Sequence, residues 1–97
     1  MLTIIIPVFN EIKTIEEIIN LTNEINFIDT QIILVDDGSK DGTTRLIKTY
    51  LFKKVNKVIY HKRNSGKGTA IKSAQTFIIG KFVIIQDADL EYNPIVI

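Results

Sequence analysis

Short apolar runs alternate with segments of helical periodicity along almost the whole chain. Four apolar runs predict buried strands, at residues 2–8, 31–35, 55–60 and 81–86. Between them, apolar residues recur every three or four positions, which predicts helices after Thr14, after Asp41 and after the glycine-rich residues 64–68. This alternation is typical of a doubly wound α/β domain with a mainly parallel sheet, and we expect the strand order 3-2-1-4.

Polar residues at the predicted helix starts indicate where each helix begins. Thr14 and Glu17 have the spacing of a capping box, and Asp41 is placed to cap the second helix. Phe52 is more typical of a core residue than of a ligand platform. The second and third helices are expected to turn the following residues into the core: Leu46, Ile47, Tyr50, Leu51, Ala70, Ile71, Ala74, Phe77 and Ile78.

In doubly wound sheets, ligands bind beyond the carboxyl ends of the strands, where the strand order reverses. Polar or glycine-rich segments follow all four predicted strands, at residues 7–11, 36–37, 61–68 and 87–89. The expected order makes the first and fourth strands neighbours. The sequence therefore predicts a binding crevice at this edge, between those two strands.

Composition excludes several kinds of site. The 97 residues, 45% hydrophobic with a net charge of +1, suit one globular domain. No apolar run approaches the roughly 18 to 20 residues that cross a bilayer, and we expect no secretory leader. The absence of cysteine excludes disulfides, zinc fingers, iron–sulfur clusters and thiol nucleophiles. A single histidine, His61, argues against a multi-histidine metal site or a Ser-His-Asp triad and favours a structural role at a strand end.

Charge is unevenly distributed despite the small net value. Residues 42–86 contain ten lysines and arginines but no aspartate or glutamate, so all eleven acids lie outside this segment. A basic segment beside clustered carboxylates can bind an anion together with a metal ion. For any one of these lysines, a solvated surface position is the simpler interpretation.

Asp87 and Asp89 are the candidates for a metal site. Residues two apart in an extended segment point to the same side, roughly 6.5 Å apart. Two carboxylates so placed can bind Mg²⁺ or Mn²⁺ together with a ligand phosphate, and Glu91 is a candidate third ligand. The alternative is a turn whose aspartates cap the next helix.

Two further segments predict ligand contacts, each with a simpler structural alternative. Asp36 and Asp37 end a buried strand and point apart, so one can face the crevice while the other holds an Asp-Gly turn. The basic, glycine-rich residues 64–68 can bind phosphate at a helix start, or serve only as a flexible entry to the helix. A Walker A motif would need glycine at His61, and a dinucleotide fingerprint would need it at Ile71, so both are disfavoured.

Four segments in order carry a resemblance that none of them carries alone. They read IIPVFNE (residues 5–11), VDDGSKDGT (35–43), NSGKGTA (64–70) and QDADLEYNP (86–94). Together they closely resemble the family 2 glycosyltransferases of glycosyltransferase A fold, and most of all the transferases that act on dolichyl or undecaprenyl phosphate. The resemblance covers essentially the whole chain, 1–97, as a nucleotide-sugar-binding domain truncated at its C-terminus.

The resemblance implies transfer of a sugar from a UDP- or GDP-sugar with Mg²⁺ or Mn²⁺, in cell-wall or glycolipid biosynthesis. Phe9 stands where the family often has tyrosine, and Glu91 where some members have glutamine. Glu11 is equally interpreted as a solvated helix start. No catalytic base is assigned. By motif, the nucleotide-binding residues are Pro7, Phe9, Glu11, Asp36, Asp37, Lys67 and Asp87, and the metal ligands are Asp87, Asp89 and Glu91.

Members of this family continue well beyond residue 97, into an acceptor-binding half and often a membrane anchor. The alternative to an enzyme is therefore a non-catalytic nucleotide-binding fragment. The resemblance implies a cytoplasmic protein, held at the inner face of a membrane through that further part, with a lipid phosphate as candidate acceptor and no nucleic-acid partner. The fourth strand is apolar on both faces, and as a sheet edge it predicts self-association.

Overall fold

The computed structural model describes residues 1–89. Its elements are, in chain order, β1 Leu2–Val8, α1 Ile15–Asn23, β2 Thr30–Asp36, α2 Thr43–Thr49, β3 Lys57–Tyr60, α3 Lys67–Ala74 and β4 Phe82–Ile85. Short 3₁₀ turns at Leu51–Lys54 and Gln75–Phe77 follow α2 and α3. These strands form one parallel sheet in the order β3-β2-β1-β4, which confirms the predicted fold class and topology. No helix in this part of the chain is long and apolar enough to cross a membrane.

The central strands β1 and β2 are buried on both faces, which explains their unbroken apolar sequences. On one face of the sheet, Ile5 and Ile33 pack with Ala70 and Ala74 of α3. On the other face, the strands pack against α1 and α2 through Ile4, Ile6, Val8, Ile15, Ile18, Ile19, Ile32, Leu34 and Ile47. Full burial of one such side chain contributes about 1.5–3 kcal/mol. The residues that follow β1 and β2 are therefore anchored by two well-packed central strands.

The start of α1 differs from the predicted capping box. Thr14 occupies the N-cap position, but its hydroxyl makes no capping hydrogen bond. Instead, the hydroxyl donates to the backbone carbonyl of Ala88 and lies 3.4 Å from Glu11 Oε2. The capping-box prediction was wrong, because the hydroxyl is oriented towards a tertiary partner and accepts no backbone N–H from the first turn of α1. The contact ties the start of α1 to the segment between Asp87 and Asp89.

The start of α2 is close to the prediction. Asp41 Oδ1 accepts hydrogen bonds from the backbone N–H of Thr43 at 3.0 Å and from its hydroxyl at 2.5 Å, while Oδ2 accepts the N–H of Ile12 at 3.2 Å. Gly42 occupies the N-cap position itself, so Asp41 holds the helix from one residue earlier. Burial alone would raise the pKa of Asp41, but these hydrogen bonds outweigh it and the pKa lies below its usual value.

Three aromatic residues predicted to lie in the core are exposed instead. Tyr50, Phe52 and Phe77 retain 45%, 44% and 41% of their accessible surface, whereas Leu51 is fully buried. All three lie in or beside 3₁₀ turns, whose three residues per turn rotate the face that α-helical spacing predicts. Each ring has a lysine ammonium 4.4–5.8 Å from its centroid, from Lys54, Lys53 and Lys57 respectively.

Within the described residues, β4 is an edge of the sheet. It pairs with β1 alone, and both edge strands have four residues, fewer than predicted. Phe82, Val83 and Ile85 retain 66%, 42% and 40% of their surface, while Ile84 packs against the core. Self-association through this strand stays a prediction.

Candidate functional site

A cavity of about 120 Å³ opens at the carboxyl edge of the sheet. It is lined by Pro7, Val8, Phe9, Asp37, Asn64, Gly66, Lys67, Ala70 and Asp87. These residues come from the ends of β1, β2 and β4, from the start of α3 and from residues 61–66, here named the β3–α3 loop. The crevice predicted from the strand order is therefore present. It brings together five of the seven predicted nucleotide-binding residues, while Glu11 and Asp36 do not line it.

Asp36 is turned away from the cavity and holds the chain after β2. It is 1% exposed. Its Oδ1 accepts the N–H of Ser39 at 3.1 Å, and its Oδ2 accepts the hydroxyl of Thr44. Asp36 was predicted to belong to the nucleotide site as a support for Asp37, and this geometry is consistent with a supporting role.

Asp37 lines the cavity although it is only 3% exposed. Its Oδ1 lies 2.8 Å from His61 Nδ1 and accepts the N–H of Ser65 at 2.9 Å. Its Oδ2 accepts the N–H of Gly66 at 2.8 Å. Burial alone would raise the pKa of Asp37, but these hydrogen bonds outweigh it and hold the pKa below its usual value. Each carboxylate oxygen can accept two hydrogen bonds, and Oδ2 has no second partner among residues 1–89, which leaves one acceptor position for a ligand.

The β3–α3 loop approaches β2 closely because Gly38 has no side chain. Gly38 has a φ of +78°, and a Cβ there would lie 2.5 Å from the carbonyl carbon of Arg63 and 2.6 Å from the nitrogen of Asn64. Gly66 has a φ of +95°, but a Cβ there would meet nothing within 4 Å. Position 38 thus requires glycine both because its φ is positive and because a side chain would collide with the loop, whereas position 66 requires it because of its φ alone. The close approach brings the amides of the loop within reach of Asp37.

Lys67 and Asp87 form an ion pair within the lining of the cavity. Lys67 Nζ donates to Asp87 Oδ1, and the two side chains are 54% and 29% exposed. A pair this exposed stabilises the fold by only about 0–1 kcal/mol. An anionic ligand and a metal cation can each find an oppositely charged partner here.

The segment after β1 is fixed against the segment after β2. Asn10 adopts a φ of +53°, which asparagine tolerates, and its N–H donates to Ser39 Oγ at 2.9 Å. Phe9, 41% exposed, precedes this turn and lines the cavity. Glu11 follows it, before the Thr14 N-cap of α1, and its N–H donates to Thr43 Oγ1 at 3.1 Å.

The side chains after β4 provide the type of donor atom that a hard divalent cation prefers. Asp87 and Asp89 offer carboxylate oxygens, which Mg²⁺ and Mn²⁺ prefer. Among residues 1–89, no group of three or more histidine, cysteine, aspartate and glutamate side chains is placed to hold a metal. Two carboxylates therefore need ligand oxygens to complete a site. Glu91, the predicted third ligand, lies outside the described residues.

His61 has the structural role predicted for it. Its ring is 15% exposed and lies between Asp37 and α3, with Nδ1 2.8 Å from Asp37 Oδ1 and Nε2 2.8 Å from Ser73 Oγ. Sequence reasoning missed Ser73, and no motif points to it. It also missed Val8 and Ala70 in the cavity lining. Ala70 could have been found, because it lies one turn after the glycine-rich loop on the inward face of α3.

Comparison with known sequences gives a consistent result. The family model described as glycosyl transferase family 2 matches residues 3–97. The chain is 33% identical over 99 residues to dolichyl-phosphate beta-glucosyltransferase of Dictyostelium discoideum, with 91% of this chain and 30% of that protein covered. It is 35% identical over 97 residues to undecaprenyl-phosphate 4-deoxy-4-formamido-L-arabinose transferase of Yersinia pestis, with 95% and 30% covered. The chain thus spans 30% of the length of each of these relatives.

Solved structures show the same fold. TarS of S. aureus in complex with UDP matches with a TM-score of 0.78 and 30% identity, over 91% of this chain and 27% of that chain. Mannosyltransferase PcManGT of Pyrobaculum calidifontis, in complex with GDP-Man and Mn²⁺, matches with a TM-score of 0.80 and 27% identity, over 91% and 27%. The sheet described above is therefore that of a glycosyltransferase A fold.

Proposed function

Since the chain belongs to glycosyl transferase family 2, we propose that its cavity binds the nucleoside diphosphate of a UDP- or GDP-sugar and that the protein transfers the sugar to an acceptor. One observation carries this proposal. A single cavity contains both an open acceptor position on Asp37 and the Lys67–Asp87 ion pair. A nucleoside diphosphate presents a base with N–H donors at one end and two charged phosphates at the other, so it matches both features.

The base binds on the side of Asp37 in this proposal. One open acceptor on a buried carboxylate suits one N–H of a base, such as the imide N–H of uracil. Phe9 and Pro7 supply apolar surface beside it. Glu11 does not line the cavity, and we propose it as a contact to the ribose because of its position in the motif.

The diphosphate binds on the side of Asp87. We assign Asp87 and Asp89, with Glu91 as a further candidate, to Mg²⁺ or Mn²⁺. When bound, such a cation stabilises the negative charge that develops on the leaving nucleoside diphosphate. Lys67 adds positive charge on the same side, and it exchanges its partner Asp87 for a phosphate oxygen when the ligand binds.

We propose a polyprenyl phosphate as the class of acceptor, in line with the names of the two curated relatives. A phosphate oxygen is already an anionic nucleophile, so its attack on the sugar carbon needs little help from a general base. Nucleotide sugars are made in the cytoplasm, and we place the site on the cytoplasmic side of the membrane that holds such an acceptor.

Calorimetric titration of the chain with UDP and with GDP, each with and without Mn²⁺, tests the nucleotide site. We expect one nucleotide to bind at least about tenfold more tightly with Mn²⁺, and Asp89→Ala to remove that difference. Asp29→Ala, which removes an exposed acid just before β2, is the matched control and should bind like the wild type. Equal binding without metal would contradict the roles of Asp87 and Asp89. A folded chain that binds neither nucleotide would contradict the proposal.

A further inference from the structure

In the hydrogen-bonded chain Asp37–His61–Ser73, the function proposed above assigns a role to Asp37 but none to His61 or Ser73. This hydrogen-bonded chain joins the end of β2 to the last turn of α3 through two contacts of 2.8 Å. We infer that His61 is a positioning residue, which orients the Asp37 carboxylate towards the nucleotide base, and that Ser73 orients the imidazole in turn. The ligand in this inference rests on the proposed function, whereas the orientation of Asp37 can be tested without any ligand.

The imidazole controls the direction of the open acceptor on Asp37. Oδ1 is held by His61 and by the N–H of Ser65, and Oδ2 by the N–H of Gly66. Without His61, each carboxylate oxygen would keep a single backbone donor, and the carboxylate would be less narrowly fixed about its χ2 angle. The open position on Oδ2 would then be less sharply directed, which weakens a directional hydrogen bond to a base.

Ser73 allows the ring to keep this orientation in either protonation state. An ionised carboxylate only accepts, so Nδ1 carries the proton that faces Asp37. In a neutral ring, Nε2 accepts the hydroxyl proton of Ser73. In a charged ring, Nε2 donates to Ser73 Oγ, and the hydroxyl proton turns to the carbonyl of Thr69, 3.0 Å away. Rotation of one hydroxyl satisfies both states without movement of the ring.

The same three residue types in this order also occur in hydrolytic triads, but the surroundings of Ser73 do not fit a nucleophile. Ser73 lies within α3 and does not line the cavity. Its hydroxyl has a second partner in the carbonyl of Thr69. A triad serine needs access to substrate and donors for an oxyanion beside it. The geometry therefore assigns Ser73 to the support of His61 and not to covalent chemistry.

Substitutions at His61 and Ser73 test the inference in the full chain. The amide N–H of asparagine can replace the Nδ1 donor, whereas leucine cannot. With the nucleotide that the wild type binds, in the presence of Mn²⁺, we expect His61→Leu to weaken affinity roughly tenfold, His61→Asn less than about threefold, and Ser73→Ala about twofold. Pyrophosphate with Mn²⁺, which has no base, should bind equally to all variants. Equal losses in His61→Asn and His61→Leu, or a parallel loss for pyrophosphate, would overturn the inference.

Nitrogen-15 spectra of the imidazole provide a test that needs no ligand. The inference predicts that the neutral ring of the wild type carries its proton on Nδ1, and that Ser73→Ala leaves it there while broadening the signal. A ring with its proton on Nε2 would overturn the inference. Should the wild type bind neither nucleotide, the proposed function would fail, and this spectrum would still decide whether His61 orients Asp37.

Discussion

The two acidic pairs at the carboxyl edge of the sheet are built in opposite ways. Asp36 and Asp37, after β2, are 1% and 3% exposed, and each of their four carboxylate oxygens accepts a hydrogen bond from the protein. Asp87, after β4, has a side chain that is 29% exposed and is paired with a lysine that is 54% exposed. The first pair belongs to the scaffold, whereas the Asp87 carboxylate of the second pair is held by an exposed ion pair.

The position of each strand explains this difference. β2 lies between β1 and β3, so the chain that leaves it is surrounded by loops that can supply hydrogen bonds. β4 pairs with β1 alone among the described strands, so one strand and not two flanks its end. A rigid Asp37 side, where the base is proposed to bind, lowers the entropy cost of ordering side chains on binding. An adjustable Asp87 side, where the diphosphate is proposed to bind, can accept a metal and a diphosphate together. The comparison therefore predicts a preformed half-site and a half-site that the ligand completes.

Gly38→Ala should give the largest effect on stability. A Cβ at position 38 would collide with the backbone of Arg63 and Asn64, at 2.5 and 2.6 Å, in a residue whose φ is +78°. We expect a loss of about 3 kcal/mol in the free energy of unfolding, measured by urea denaturation. Gly66→Ala is the control, with conformational strain alone in a region that only glycine adopts readily and an expected loss of about 1–2 kcal/mol. Equal losses would show that the approach of the β3–α3 loop to β2 is not tight.

Asp37→Ala should destabilise the protein more than Asp87→Ala. Loss of the Asp37 carboxylate leaves His61 and the amides of Ser65 and Gly66 without their acceptor, at an expected cost of about 2 kcal/mol. Asp87→Ala removes one exposed ion pair and should cost less than about 1 kcal/mol. Urea denaturation of both variants measures the difference. The comparison between the two half-sites fails if Asp87→Ala is the more damaging change.

Acid should destabilise the β2 side through Asp37. Its pKa in the folded protein lies below the usual value of 3.8, so the stabilisation is present above that value and is lost as the pH falls through the folded pKa. Asp41, whose pKa is also lowered, acts in the same direction. The free energy of unfolding, measured at a series of pH values from about 5 to about 2, should therefore fall more steeply for the wild type than for Asp37→Asn. Parallel curves would show that Asp37 is not stabilised in its charged form.

Lys67→Gln should have the smallest effect on stability and a clear effect on the ligand. The ion pair with Asp87 is exposed, so we expect a change below about 0.5 kcal/mol in the free energy of unfolding. Nucleotide binding with Mn²⁺ should weaken by about tenfold, because a cation is removed from the phosphate side. Lys62→Gln, an exposed lysine outside the cavity lining, should change neither quantity. Equal affinities for the two variants would remove Lys67 from the site.

The sequence predicted those features that depend on local pattern and on recurring motifs. The buried strands, the order β3-β2-β1-β4 and the edge at which the polar loops meet all followed from periodicity and topology. The sequence also predicted that one of Asp36 and Asp37 faces the crevice while the other holds the turn, because adjacent side chains on a strand point to opposite sides.

Features that depend on distant partners could not be predicted in this way. Thr14 donates to Ala88, 74 positions away, and no local rule foresees that tertiary partner. Ser73 contacts His61 only because α3 packs across the sheet. The exposure of Tyr50 depends on a change from α-helical to 3₁₀ geometry at residue 51, which apolar spacing does not reveal.

Amide hydrogen exchange at Ser65 and Gly66 tests most directly whether the base side is preformed. Both amides donate to Asp37 in the free protein, at 2.9 and 2.8 Å. We predict slow exchange at both amides without ligand, little change when nucleotide and Mn²⁺ are added, and a shift of the Lys67 ammonium resonance on the same addition. Fast exchange in the free protein that slows only on binding would contradict the account, because the base side would then be formed by the ligand.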